Sequence, residues 1–185
     1  MVDVYTQCPV LTGPTLTLRL TCMEDAEDLL LVYGDPGNTP FFNSDNCHGD
    51  TFYYPTPERM CQAIQFWLDS YRWKYFVRWS ILERQQAIGT VECFHRVAND
   101  ALTDCALLRI DLRRDRDTPH INGEILDIFL PRLKELFGSS ITAVKAPPFT
   151  LARIEALRAR GFAPASQPLI GHDGVCCGDY WQKAL

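Results

Sequence analysis

Cysteine is the residue type most available for chemistry in this chain. Eight thiols stand at positions 8, 22, 47, 61, 93, 105, 176 and 177. Zinc knuckles and thioredoxin-like centres use Cys-x-x-Cys pairs, and none occurs here. Cys47 precedes His48 in a polar stretch, but two ligands do not make a metal site, so no metal is expected. Cys93 and Cys105 sit in apolar runs, where a free thiol behaves as a small buried hydrophobe. Met1 to Val10 lacks a basic start and an apolar run, so the expectation is a cytoplasmic chain with reduced thiols. No Gly-x-Ser-x-Gly occurs, which leaves an α/β-hydrolase reading without its nucleophile.

Charge offers a second handle. The net charge is −5 over 185 residues. Residues 1–100 hold seven Lys and Arg against thirteen Asp and Glu, and residues 101–185 hold eleven against ten. Nucleic-acid binding needs a basic surface to neutralise phosphates, so the chain is a poor candidate for non-specific nucleic-acid binding. The asymmetry suggests an anionic ligand on the C-terminal half and a cationic one on the N-terminal half. No apolar stretch approaches the length of a membrane span. With 46% hydrophobic and 22% charged residues, one folded domain over 1–185 is expected.

The elements that must position any site follow from periodicity. Leu16, Leu18 and Leu20 alternate in a strand, and Thr21 with Glu24 forms a candidate capping box for a helix carrying Ala26, Leu29, Leu30 and Tyr33. Residues 35–55 are turn-rich and read as a loop long enough to serve as a substrate lid, with Phe41, Phe42, Phe52, Tyr53 and Tyr54 clustered on it. Thr56-Pro57 starts a second helix to about Lys74. Trp67, Tyr71, Trp73 and Trp79 follow helix and strand periods as packing residues. Strands over 76–82 and 87–95 form a hairpin around Glu83-Arg-Gln-Gln86, and a third strand covers 106–112. Gly123 is read as opening a helix that passes Pro131 and stops at Gly138. A strand over 141–146, a helix over 151–160 closed by Gly161, and a final strand over 175–182 complete the chain. The order β-α-α-β-β-β-α-β-α-β predicts an α/β protein with a mixed, mostly antiparallel sheet flanked by helices.

That order, with four local phrases, resembles the GNAT superfamily of acyl-CoA N-acyltransferases, in the branch of ribosomal-protein N-terminal acetyltransferases. The phrases are Leu16-Thr-Leu-Arg-Leu-Thr21 with Glu24-Asp-Ala26, Ala87-Ile-Gly-Thr-Val-Glu92, Leu107 to Leu126, and Leu157-Arg-Ala-Arg-Gly-Phe162. The likeness spans roughly residues 15–183. It implies that the strand carrying Ile110 and Leu112 runs beside the pantetheine arm of acetyl-CoA. It also implies that N–H groups at the next helix start receive the pyrophosphate.

The pyrophosphate loop departs from the family pattern of Gln or Arg, two residues, Gly, any residue, then Gly or Ala. Here the stretch reads Asp117-Thr-Pro-His120-Ile121-Asn122 before Gly123, with neither glycine of the pair. If coenzyme A binds, Arg113, Arg114 or Arg116 supplies charge, the N–H groups of Ile121, Asn122 and Gly123 cradle phosphate, and His120 adds a donor. Thr150 and Arg153 stand where the family often has Asn and then Ser or Ala. Thr150 can cap the helix and Arg153 can reach a phosphate. The family's Tyr acid position is Leu157 here.

The implied reaction is attack of an amine on a thioester, which needs a base for the ammonium proton, a carbonyl-polarising N–H and an acid for the leaving thiolate. Glu92 and His95 are the candidate bases, and the Ile110 N–H is the candidate donor. The resemblance therefore implies an N-acetyltransferase acting on a small-molecule amine or a peptide N-terminus, with no nucleic-acid or membrane partner. The acidic first half favours a cationic acceptor. Sheet edges of such folds also allow a homodimer. A second reading stays open: a GNAT-fold ligand-binding or interaction protein that has lost acyl transfer.

Overall fold

The computed structural model describes residues 3–185. Ten strands and four α-helices follow in chain order: β1 Leu11–Thr12, β2 Leu16–Leu20, α1 Ala26–Tyr33, α2 Pro57–Arg72, β3 Val77–Glu83, β4 Gln86–Arg96, β5 Cys105–Leu112, α3 Pro119–Phe137, β6 Ile141–Lys145, α4 Leu151–Ala159, β7 Ala163–Pro164, β8 Leu169–Ile170, β9 Cys176–Cys177 and β10 Tyr180–Ala184. Eight strands form one sheet in the order β1-β2-β3-β4-β5-β6-β10-β7, and β8-β9 form a separate ribbon. Every pairing in the main sheet is antiparallel except β5 with β6, which the α3 crossover joins in parallel. This is the mixed, mostly antiparallel sheet flanked by helices that the element order predicts.

Strand alternation divides the core between the two sheet faces. Val77, Trp79, Val91, Cys93, Ala106, Leu108 and Ile110 pack with Ile125, Phe129 and Leu133 of α3 and Leu157 of α4. On the other face, Leu29 and Tyr33 of α1 pack with Met60, Ile64 and Trp67 of α2 and with Phe42, Phe52 and Tyr54 of the 35–55 segment. Those three aromatics are therefore core residues. Trp73 is not: it follows the last turn of α2 and is 59% exposed.

Several boundaries move, each for a local reason. The cap of the first helical segment is Cys22, one residue later than expected, and its N–H donates to Asp25 Oδ2 at 3.0 Å. The hairpin turn is two residues long, with Arg84 and Gln85 at φ 50° and 70°. Helix α3 begins at Pro119 behind an N-cap at Thr118, four residues before Gly123. This is the same Thr-Pro start that opens α2. The segment expected to be a final strand splits into β9 and β10 around Gly178-Asp179, with Asp179 at φ 64°. Among the described residues, no helix is long and apolar enough to cross a membrane.

Candidate active site

The parallel pair β5 and β6 holds together only from Cys105 opposite Ile141 to Leu108 opposite Val144. Beyond that point β5 continues through Ile110 and Leu112, paired with β4 alone, and a gap opens between the two strands. The peptide groups of even-numbered β5 residues face this gap. Thr142 Oγ1 donates to the Ala106 carbonyl from that side at 2.9 Å, and the Ile110 carbonyl accepts from Arg153 at 2.8 Å. A strand residue points its N–H and C=O to the same side, so the Ile110 N–H faces the gap too.

Arg153 fills the gap. It rises from the first turn of α4 and is 1% exposed. Its guanidinium donates to the carbonyls of Ile110, Lys145 (3.2 Å) and Phe41 (3.2 Å), so it ties β5, β6 and the 35–55 segment together. No carboxylate comes within ion-pair distance of it among the described residues, and its Nε–H is buried without an acceptor. Burial lowers its pKa, with Asp117 and Asp111 acting against that from a distance. Phe41 packs edge-on against Phe149 at 5.3 Å, and the Arg114 guanidinium lies 3.6 Å above the Phe41 ring.

At the start of α3, most of the expected cradle is already committed. Ile121 N–H donates to Thr118 Oγ1 at 3.2 Å and Asn122 N–H to the Thr118 carbonyl at 3.0 Å. Asn122 Nδ2 holds Asp117 at 2.6 Å. A Cβ added to Gly123 would come within 2.6 Å of Arg160, whose guanidinium pairs with Asp127 at 2.5 Å. Among the described residues the His120 N–H has no acceptor, and the ring of His120 is exposed. Arg113 is paired with Asp115 at 2.6 Å and Arg116 with Glu83 at 3.4 Å, whereas Arg114 has no ion pair among the described residues. Thr150 does not cap α4 through its side chain: its hydroxyl donates to the Pro147 carbonyl at 2.7 Å.

The α1–α2 face of the sheet carries a cavity of about 1060 Å³ between α2, residues 46–54, β8 and the strands β3, β4 and β5. Its floor is a row across three strands in which Arg78 lies opposite Glu92 and Glu92 opposite Arg109. Glu92 accepts from Arg78 on one oxygen and from Arg109 on the other, the latter at 2.9 Å. Burial would raise its pKa, but the two guanidiniums overcome burial and hold it below the usual carboxylate value. Behind this row, Asp111 accepts from Tyr33 at 2.9 Å and from Arg78 at 3.2 Å. Its other oxygen is buried with no donor among the described residues, and burial raises its pKa despite the nearby Arg78. Arg109 also donates to the carbonyl of Asp45 at 2.6 Å, and Asp45 in turn holds Lys145 at 2.7 Å and the Tyr180 hydroxyl at 2.9 Å. The 41–46 segment thus touches the gap at Phe41 and the cavity floor at Asp45.

Of the two expected bases, only Glu92 reaches the cavity. His95 lies three positions along β4 and so on the opposite face, half-exposed and paired with Asp104 at 2.9 Å. The acidic balance of residues 1–100 does not carry into the cavity either. Asp50 is paired with Arg59 at 3.2 Å, Asp100 with Arg96 at 2.5 Å, and Glu92 with two arginines. No lining carboxylate is left over for a cationic acceptor. Arg78, Arg109, Tyr33 and Asp111 were not expected at a site. For the three charged residues the signal in the sequence is charge at inward positions of apolar strands, as in Val77-Arg-Trp and Leu108-Arg-Ile-Asp111, whereas Tyr33 reads only as an inward residue of α1.

The residues around the gap suit a coenzyme A arm in backbone and in charge. The Ile110 N–H and C=O face the gap unpaired by β6, and Arg153 and Arg114 are cations without carboxylate partners. The fit requires Arg153 to withdraw, because its guanidinium occupies that space.

No protein-family model matches the chain, and no curated protein matches it in sequence. Solved structures do match its fold. RimJ of Mycobacterium smegmatis, solved in complex with CoA-disulfide, superposes with a TM-score of 0.71 at 16% identity, covering 96% of this chain and 85% of that one. RimL, a ribosomal L7/L12 alpha-N-protein acetyltransferase in complex with coenzyme A, gives 0.69 at 12% identity over 96% of this chain and 98% of that one. A GNAT-family acetyltransferase from Bacillus anthracis gives 0.68 at 8% identity, covering 96% and 98%. At these identities the likeness is one of architecture, and it extends over nearly the whole chain: this protein has the GNAT acyltransferase fold.

Proposed function

We propose that the protein is an N-acetyltransferase that uses acetyl-CoA to acetylate a primary amine, either of a small molecule or of a peptide N-terminus. One observation carries the reading. The unpaired edge of β5 beyond Leu108 borders a gap on one side, and the α1–α2 face of the same strand forms the floor of a ligand-sized cavity. The RimJ and RimL structures, which share the fold and hold coenzyme A forms, support the choice of co-substrate.

Acetyl-CoA, when bound, would supply its acetyl group as a thioester: the amine nitrogen bonds to the carbonyl carbon, the carbon–sulfur bond breaks, and the coenzyme A thiolate leaves and takes its proton from solvent. The residues suited to hold it are Ile110 along the arm and Arg114, with the His120 N–H, at the phosphates. The Ile110 N–H is oriented to donate to a carbonyl oxygen as negative charge develops there. Glu92 is a positioning residue: with both oxygens bound to guanidiniums and a lowered pKa, it is a poor proton acceptor. Its work is to hold Arg78 and Arg109 at the cavity floor. Those cations lower the pKa of an ammonium beside them, so the acceptor loses its proton to solvent before attack.

The test is calorimetric titration with acetyl-CoA, followed by thiol release and mass spectrometry over a panel of amines and peptides. Saturable binding with an acetylated product supports the proposal. Absence of binding at millimolar concentration overturns it.

A further inference from the structure

We infer that the acceptor carries a carboxylate beside its amine, held at the Arg78–Arg109 floor, with an apolar body along the aromatic wall of the cavity. The inference rests on the acetyltransferase reading and narrows its substrate class.

The floor argues for the anion. Arg78 is 1% and Arg109 8% exposed, and among the described residues the buried Nε–H of each has no acceptor. Between them they share one cavity-facing carboxylate, Glu92. Asp111, the second carboxylate of the cluster, lies behind Arg78 and does not line the cavity. Across β5, the Arg153 guanidinium adds a further buried cation without a carboxylate of its own. Counted with Arg153, three guanidiniums face two carboxylates, Glu92 and Asp111, so the cluster beneath the floor keeps positive charge, and charge-assisted bonds to arginine favour planar carboxylates. The remaining charged groups of the lining are paired: Arg59 with Asp50, Arg96 with Asp100, and Lys74 with Asp3 outside the lining at 3.0 Å.

The walls argue for the apolar body. Phe66 and Phe76 pack at 6.3 Å on the α2 side, and Phe94 faces them from β4 beside Arg109. At the mouth, Phe66, Tyr75 and Val97 remain exposed. A cavity of about 1060 Å³ is larger than a simple alkylamine fills. A bare ammonium would meet no free carboxylate and two cations. A neutral amine on a molecule anchored by its carboxylate meets neither objection.

The test uses matched pairs: L-phenylalanine with phenethylamine, and L-leucine with 3-methylbutylamine, each titrated calorimetrically into the full chain without acetyl-CoA. The carboxylated member should bind at least about tenfold more tightly. 3-Phenylpropionate, which lacks the amine, should displace L-phenylalanine, and this arm needs no variant. In Arg109→Gln, checked for folding by circular dichroism, the preference should fall to within about twofold. Equal or tighter binding of the decarboxylated amines, or no binding of either, overturns the inference. Binding of the amino acids without acetylation in the presence of acetyl-CoA overturns the transferase reading but supports the carboxylate site. Acetylation of decarboxylated amines alone does the reverse.

Discussion

The Arg153 guanidinium donates to the carbonyl of Ile110 at 2.8 Å, across the space where β5 and β6 part company. It links three segments at once, and no carboxylate offsets the cost of burying it. A coenzyme arm running along β5 competes for the same space and the same carbonyl. Under the proposed function, Arg153 would be a plug that the co-substrate displaces. Replacing it by Ser removes the competitor, and the dissociation constant for acetyl-CoA measured by calorimetry should fall by about tenfold. Unchanged binding would mean that Arg153 is no plug, and weaker binding would make it a ligand for the co-substrate.

Arg114 differs from its neighbours in the loop before α3. Arg113 and Arg116 are bound to carboxylates, whereas Arg114 spends its charge over the Phe41 ring. It is the loop arginine able to meet a phosphate without first breaking an ion pair. Arg114→Ala should weaken acetyl-CoA binding by about tenfold at low salt, with the difference shrinking as ionic strength rises. Calorimetry at two salt concentrations measures both effects. Arg113→Ala, whose cation is already neutralised by Asp115, should change affinity by less than about threefold.

Gly89 explains the Ile-Gly phrase without any ligand. The register between β3 and β4 shifts between Ile81 and Leu82, leaving Ile88 without a partner on β3, and β5 closes on the neighbouring residue. A Cβ at Gly89 would sit inside contact distance of the Asp111 carbonyl and 3.0 Å from the Leu112 Cα, both backbone atoms in a paired strand. Neither can swing aside. Gly89→Ala should cost about 3 kcal/mol in a denaturant titration. A cost below about 1 kcal/mol would mean that the bulge relaxes.

The element order and the mixed sheet were legible because hydrophobic periodicity is local. Leu16 and Leu18, or Ile125, Phe129 and Leu133, declare their buried faces by spacing alone. The start of α3 was legible too, since Thr118-Pro119 repeats Thr56-Pro57. It was obscured by fixing the helix at Gly123, the glycine nearest to a phosphate-binding pattern. That glycine is close-packed under Arg160. The cavity floor was not legible in the same way. Arg78, Glu92 and Arg109 are far apart in sequence and meet only because two strand registers bring them into one row. Periodicity marks them as inward, but not as neighbours. His95 misled for the converse reason: it is close to Glu92 in sequence, and an odd offset on a strand sends it to the other face.

Glu92 and Asp111 share Arg78 yet should respond to substitution in opposite ways. Glu92 is bound through both oxygens and its pKa is lowered, so its ionised form stabilises the fold. That contribution is present above the unfolded carboxylate value of about 4.3 and is lost as pH falls through the lower folded value. Asp111 has one buried oxygen with no donor and a pKa raised by burial. Its contribution is complete below the unfolded value and is lost as pH rises through the folded one. Glu92→Gln leaves two buried guanidiniums facing an amide and should cost about 3–5 kcal/mol at pH 7. Asp111→Asn keeps an oxygen for Tyr33 and Arg78 and puts the amide nitrogen where no bond existed, so it should cost less than about 1 kcal/mol. Urea titrations at pH 7 and pH 4 separate the two. The penalty of Glu92→Gln should shrink toward pH 4, and any stability gained by Asp111→Asn at pH 7 should vanish there. Equal penalties at both residues would mean that Asp111 is ionised and as firmly paired as Glu92.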